Sequence, residues 1–178
     1  LTMPFELQPV QVYMEAQGED SDEFLPRYWA YLYGLYLPRV LSFERLDFRF
    51  ELAQPFDNNS TRPTFWYLHG KYISGYTYKG VIIGHPMGTD SRDTFMELTW
   101  RVQEKSAKVS LAFDHREHNL SFDVNERERE MSIRAGLRLT ETTDLQLAYG
   151  YALVDDAGNV SGEERRIRSV EAGITRRF

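Results

Sequence analysis

Apolar and polar residues alternate along most of this chain. In the clearest case the alternation holds over eight positions, 45–52, where every second residue is charged. A period of two is typical of β-strands with one apolar and one polar face. Alternating strands are predicted at 6–18, 45–52, 94–103, 109–116, 131–140, 145–153 and 165–178. An eighth strand is predicted at Tyr28–Leu37, which is apolar on both faces, so its orientation stays open.

The connections between these strands alternate between long and short. The long ones are 19–27, 54–93, 117–130 and 155–164, and the short ones follow Pro38, Glu104 and Glu141. Strands of about ten residues joined in this way are typical of transmembrane β-barrels of bacterial outer membranes. We therefore expect one all-β domain over 1–178, an antiparallel up-and-down transmembrane barrel with about eight strands. Its short turns and C-terminus would lie in the periplasm.

The last strand resembles the terminal signal of outer-membrane barrels. A polar Glu171 is followed two residues later by Gly173, and the chain ends on the aromatic Phe178. That signal usually has a large apolar residue where Arg176 stands. The resemblance implies that the barrel-assembly machinery is a partner of this strand.

Alternation alone also fits a soluble antiparallel sandwich or a lipocalin-like barrel. In a soluble barrel the apolar face points inward, whereas in a membrane barrel the charged face lines the lumen. The arginines expected in the lumen are Arg45, Arg49, Arg101, Arg134, Arg138 and Arg177. Loop asymmetry, strand length and the C-terminus together favour the membrane barrel.

Composition narrows the possible partners and compartments. The 178 residues include no cysteine, which excludes disulfides and thiolate metal sites. The net charge is −6 and the basic residues are scattered, which argues against nucleic acid as a partner. The mean hydropathy of −0.52 does not distinguish a soluble protein from a transmembrane barrel, because a barrel also exposes polar residues to its lumen. Leu1-Thr2-Met3 does not resemble a signal peptide, so we expect a removed leader or a piece of a longer chain.

Catalytic motifs are few. His115 and His118 have a spacing that could bind a metal on a helix, but on a strand they diverge, so we expect solvated side chains. Ser74 with His69 or His85 is a conceivable nucleophile and base, although no Gly-x-Ser-x-Gly elbow is present. Asp155-Asp156 is expected to be solvated. We predict no catalytic residue, metal or cofactor, and no enzymatic activity.

A stretch rich in glycine and aromatic residues occupies 64–88, inside the longest connection. Its characteristic segments are Trp66-Tyr67, His69-Gly70, Tyr72, Gly75–Gly80 and Ile83–Gly88. Through these segments the chain resembles the Wzi-like capsule-assembly family of outer-membrane proteins, with weaker support from Tyr28–Leu32. The resemblance implies a barrel of about 18 strands that helps to attach capsular polysaccharide. With about eight strands, this chain would be the C-terminal part of such a barrel or a shortened relative.

The expected function is to assemble or retain capsular polysaccharide as an integral protein of the bacterial outer membrane. The connection 54–93 would be extracellular or folded into the lumen, with tyrosines as flat platforms and lysines for acidic sugars. The residues predicted to contact polysaccharide are Trp66, Tyr67, His69, Lys71, Tyr72, Tyr76, Tyr78, Lys79 and His85. These aromatics could instead only pack as a plug. The alternative functions are a general porin with an arginine-lined lumen and an outer-membrane hydrolase.

Overall fold

The computed structural model describes residues 9–22, 25–41, 43–56, 77–78, 81–82, 88, 90–103, 107–120 and 123–176. Its strands are β1 (Gln11–Asp22), β2 (Leu25–Leu37), β3 (Leu46–Phe56), β4 (Thr77–Tyr78), β5 (Val81–Ile82), β6 (Ser91–Gln103), β7 (Ala107–His118), β8 (Glu126–Thr140), β9 (Thr143–Asp155) and β10 (Glu164–Arg176). A 3-10 turn lies at Ala157–Asn159. No helix among the described residues is both long and apolar enough to cross a membrane.

Eight strands form one sheet in the order β1-β2-β3-β6-β7-β8-β9-β10, and every neighbouring pair is antiparallel. The short strands β4 and β5 pair separately with each other. Each strand of the large sheet therefore lies beside its predecessor, an up-and-down arrangement. The prediction of an all-β chain with about eight antiparallel strands is confirmed. β1 and β10 are the two edges of this sheet, which is open over the described residues.

The two faces of the sheet have opposite chemistry, and their burial is the reverse of that in a soluble protein. Large apolar side chains are exposed, for example Ile133 at 48% and Val170 at 80%, whereas Ala112 and Ser132 on the other face are 4% and 8% exposed. Soluble domains bury their large apolar residues instead. We call the two sides the apolar face and the polar face. Such a sheet is stable only where its apolar face meets an apolar medium.

The strands extend further into the charged segments than alternation predicts. Segment 19–27 is predicted to be a loop, but β1 continues to Asp22 and β2 starts at Leu25. Within the predicted loop 117–130, β8 already begins at Glu126. Between β7 and β8, ionic pairs across the strands, such as Arg116 with Glu128 at 3.3 Å, support the ladder beyond its apolar part. Residues 54–56 and 91–93 of the predicted connection 54–93 likewise belong to β3 and β6.

The ends of the sheet carry different connections. We call the end with connections 57–90, 119–125 and 156–163 the loop end, and the end with 104–106 and 141–142 the turn end. The alternation of long and short connections is incomplete. The connection 38–45 at the turn end is as long as 156–163 at the loop end, and β1 and β2 are separated only by 23–24.

The apolar stretch shifts along the strands between one side of the sheet and the other. Following the paired residues across the sheet, Leu37 of β2 lies in the same row as Ile133 of β8 and Val170 of β10. Leu37 ends the apolar stretch of β2 at the turn end, whereas Val170 begins that of β10 at the loop end. The apolar zone therefore runs obliquely across the sheet.

Candidate functional site

The polar face between β3 and β10 forms a cavity of about 550 Å³. Its floor consists of small residues such as Ala148 and Gly136, which leave space that larger side chains would fill. The polar side chains that line it are Arg49, Glu97, Thr99, Lys108, Ser110, Arg134, Gln146 and Glu171. They come from six neighbouring strands, and each is placed on this face by the period of two.

Glu97 is the central anion of the cavity. Its carboxylate lies 3.4 Å from Nη2 of Arg49 and 3.8 Å from Nη1 of Arg134. Arg49 also lies 3.8 Å from Glu51, and its guanidinium stacks 4.8 Å above the ring of Phe95. Because both arginines are about half exposed, each such pair stabilises the fold by less than about 1 kcal/mol. Glu97 therefore mainly orients two cations that keep donors free for a ligand.

The rest of the cavity adds neutral and charged hydrogen-bonding groups. The hydroxyls of Thr99 and Ser110 are 2.8 Å apart across β6 and β7. Lys108, Gln146 and Glu171 line the side formed by β7, β9 and β10. This combination can donate to carboxylates and both donate to and accept from hydroxyls, as an acidic sugar requires.

Arg101 and Arg45 lie at the turn end, where their hydrogen bonds hold neighbouring parts of the chain together. Arg101 donates to the Asp47 carboxylate at 2.9 Å and to the Glu44 carbonyl at 3.0 Å. Arg45 lies in the connection before β3 and donates to the Val102 carbonyl at 3.3 Å. These two predicted site arginines therefore fasten the β2–β3 connection to β6 rather than reaching the cavity.

A second ionic cluster lies on the polar face near the loop end. Arg116 contacts Asp114 at 2.5 Å, Glu128 at 3.3 Å and Glu130 at 3.2 Å. These contacts tie β7 to β8, and Asp93 is buried beside them. The part of the chain that the structure describes contains no group of three or more histidines or acidic residues arranged to hold a metal ion.

His115 and His118 point to opposite faces of β7. His118 shares a hydrogen bond of 2.9 Å with the buried Ser91, and His115 lies 3.8 Å from Glu117. They therefore cannot share a ligand, as their spacing on a strand implies. His118 is half-buried, with one ring nitrogen bonded to the Ser91 hydroxyl.

Most of the predicted polysaccharide contacts fall outside the described residues. This applies to Trp66, Tyr67, His69, Lys71, Tyr72, Tyr76, Lys79 and His85, and also to Arg177 and Phe178. The backbone of Tyr78 belongs to β4, where it pairs with Val81. Of the predicted arginines, the structure brings Arg49 and Arg134 together, and Arg138 lies nearer the turn end with Asp144 at 3.3 Å.

Sequence reasoning missed the partners of these arginines. Glu97, Lys108, Gln146 and Glu171 stand on the polar face of their strands, and the alternation already assigns them to that face. Which of them meet, however, depends on strand register, and alternation within one strand carries no information about register.

The fold and the cavity define a two-faced antiparallel sheet of the kind that builds β-barrels, with polar groups collected on one face. The family described as "Capsule assembly protein Wzi" matches residues 1–167. The chain therefore belongs to the Wzi capsule assembly family, as its sequence predicted.

One solved structure shows the same fold. It is Wzi from Escherichia coli, described as an outer-membrane protein involved in group 1 capsule assembly and as a carbohydrate-binding β-barrel. The TM-score is 0.72 at 18% identity, over 94% of this chain and 38% of that one. This chain thus spans well under half the length of that protein. A search of curated proteins finds no match.

Proposed function

We propose that this chain is part of an integral outer-membrane β-barrel that helps to assemble or retain capsular polysaccharide without catalysing a reaction. The polar face would line the lumen and the apolar face would contact lipid. Additional strands would close the barrel, in keeping with the share of the solved Wzi structure that this chain covers. The family and the two-faced sheet support this proposal.

The observation that carries the proposal is the cavity around Glu97. Arg49 and Arg134 present guanidinium groups there, and Lys108 adds an ammonium group. Guanidinium forks suit carboxylates of uronic acids, and the hydroxyl and amide groups nearby suit neutral sugar hydroxyls. We infer that the polysaccharide is acidic and that part of it enters this cavity. The connection 54–93, with Tyr76 and Tyr78, would add stacking contacts at the loop end.

The test is capsule retention in cells that express charge variants of the complete protein. Arg49→Gln with Arg134→Gln should raise the ratio of shed to cell-bound capsule several-fold, because two guanidinium contacts are lost. The matched control, Arg45→Gln with Arg165→Gln, removes the same charge outside the cavity and should leave the ratio unchanged. Heat-modifiable gel mobility should show normal assembly in both variants.

Two outcomes would contradict the cavity assignment. One is normal retention in the cavity variant, and the other is an equal loss in the control. The double variant Tyr76→Ala with Tyr78→Ala measures the contribution of the connection separately from that of the cavity. We expect retention to fall in this variant while assembly stays normal. If only the tyrosine variant loses retention, the polysaccharide is held by the connection rather than by the cavity.

A porin-like channel is the alternative, because Arg49, Arg134 and Arg138 follow one another along the polar face. Single-channel conductance of the reconstituted protein separates the two functions. A channel predicts stable ion-selective conductance that Arg134→Gln alters, whereas a polysaccharide-binding barrel predicts little conductance.

A further inference from the structure

Near the loop end, the apolar face becomes charged on β8 and β10. Arg129 of β8 and Arg166 of β10 both pair with Leu153 of β9, one from each side, and Arg168 pairs with the neighbouring Tyr151. Adjacent strands lie about 4.8 Å apart, so Arg129 and Arg166 arise about 10 Å from each other. We call Arg129, Arg166 and Arg168 the outer arginine patch.

The outer arginine patch carries more positive than negative charge. Arg129 contacts Asp155, while Arg166 reaches Glu164 only at 3.9 Å, with the two side chains 69% and 60% exposed. Among the described residues no ion pair is found for Arg168. Three guanidinium groups thus face two carboxylates, and these groups are open to an external anion.

Two other described arginines near the loop end of this face have carboxylate partners. Arg92 lies 3.5 Å from Glu117, and Arg127 lies 3.2 Å from Asp156. The amide of Gly162, which donates to Asp156 at 2.8 Å, and then Arg127 hold the pKa of Asp156 below its usual value. The carboxylate opposite Arg127 is therefore firmly ionised. On the part of this face whose side chains the structure describes, the excess of positive charge near the loop end therefore lies at the outer arginine patch.

Directly toward the turn end from the patch, the same face is apolar and exposed. Met131, Tyr149 and Val170 are 56%, 45% and 80% exposed there. Within one strand length, this surface is thus cationic toward the loop end and apolar toward the turn end. A partner that matches both parts is an amphiphile with an anionic head and hydrocarbon chains.

We propose that the outer arginine patch binds the phosphate groups of a phosphorylated glycolipid in the surrounding leaflet. Its acyl chains would lie along Met131, Tyr149 and Val170. Guanidinium groups bind phosphate oxygens in pairs, and Tyr151, which lies opposite Arg168, suits the boundary between headgroup and hydrocarbon. This proposal rests on the membrane placement proposed above, because only then does the apolar face meet lipid.

The test measures lipid binding to the complete protein in neutral detergent by native mass spectrometry. Lipid A, a bisphosphorylated glycolipid, is compared with phosphatidylcholine. Arg129→Gln, Arg166→Gln and Arg168→Gln together should weaken lipid A binding on the order of a hundredfold. The control combines Arg45→Gln, Arg138→Gln and Arg165→Gln, which remove the same charge outside the patch and should leave binding unchanged.

Several outcomes would overturn the proposal. If the patch variant and the wild type bind lipid A with equal affinity, the patch is not the site. The proposal also fails if the wild type binds phosphatidylcholine as tightly as lipid A. If millimolar inorganic phosphate displaces lipid A completely, the site recognises phosphate alone. If the triple variant fails to assemble, Arg168→Gln by itself must weaken lipid A binding measurably. A wild-type protein that does not co-sediment with outer membranes would instead contradict the membrane placement.

Discussion

At the scale of single residues, the polar face is organised by pairs that cross from strand to strand. Glu97 holds Arg49 directly opposite on β3, and Asp47 holds Arg101 one diagonal step away. Glu97 also reaches Arg134 across the intervening strand β7. Half-exposed pairs of this kind contribute little to stability but fix where their charges point. These pairs therefore set the charge pattern of the polar face more than they set its stability.

At Gly34 the absence of a side chain makes room for a residue of the neighbouring strand. Gly34 lies between Tyr13 of β1 and Glu51 of β3, and the phenol ring of Tyr13 covers it and donates a hydrogen bond to Glu51. A Cβ atom at position 34 would overlap that ring. The glycine is thus needed for close approach of a side chain rather than for an unusual backbone conformation.

Gly34→Ala should destabilise the sheet by about 1–3 kcal/mol, because the added methyl group displaces the ring of Tyr13. The measurement is the unfolding midpoint in denaturant, followed by heat-modifiable mobility. In the Tyr13→Ala background the same substitution should cost much less, since the overlapping ring is gone. Equal costs in the two backgrounds would contradict this packing.

At the scale of strands, the alternation of apolar and polar residues predicts on which face a residue lies, but it does not predict where a strand begins or ends. Leu137 and Arg138 were placed on opposite faces from sequence, and the structure agrees, because the period of two follows from backbone geometry alone. The ends of β7 and β8 near the loop end differ from the prediction. The charged residues there are typical of a loop, but in the structure they pair with each other across the two strands. The sequence predicts Arg49 and Arg134 on the polar face but not the cavity, because Glu97 can be recognised as their partner only when the register is known.

The assignment of faces gives a paired prediction on β8. Leu137→Arg should destabilise the membrane-inserted protein by about 2–4 kcal/mol if this position lies near mid-membrane depth, because a charge would enter lipid. Arg138→Leu, one residue away, should cost far less, since it only removes the contact with Asp144. Both are measured by unfolding in denaturant from lipid vesicles. A larger cost for Arg138→Leu would mean that the faces are exchanged.

At the scale of the whole molecule, the apolar face is too extensive to be left in water. Val12, Leu98, Leu111 and Leu147, on four different strands, are all between 39% and 76% exposed. Contiguous exposed apolar surface of this kind marks contact with a membrane or a partner. The two edges of the sheet also remain open to further strands, which fits the fraction of the solved Wzi structure that the chain covers.

The complete protein should therefore fractionate with outer membranes and need detergent for extraction. Washing with high salt or carbonate should leave it in the pellet, because apolar contacts do not depend on ionic strength. Immunoblots of fractions, with a periplasmic protein as control, measure this. Recovery as a monodisperse monomer in detergent-free buffer would contradict the assignment of the apolar face to lipid.

The oblique course of the apolar zone has a geometric consequence. A lipid bilayer is a flat slab, so a zone that drifts along successive strands means that the strands lean relative to the membrane normal. Between β2 and β10 the drift averages about one residue per strand. With strands about 4.8 Å apart and a rise of about 3.3 Å per residue, this corresponds to a lean of roughly 35°. Strands of β-barrels are tilted by about this angle, so the hydrophobic pattern and the strand register together record the shear that coils a sheet around a lumen.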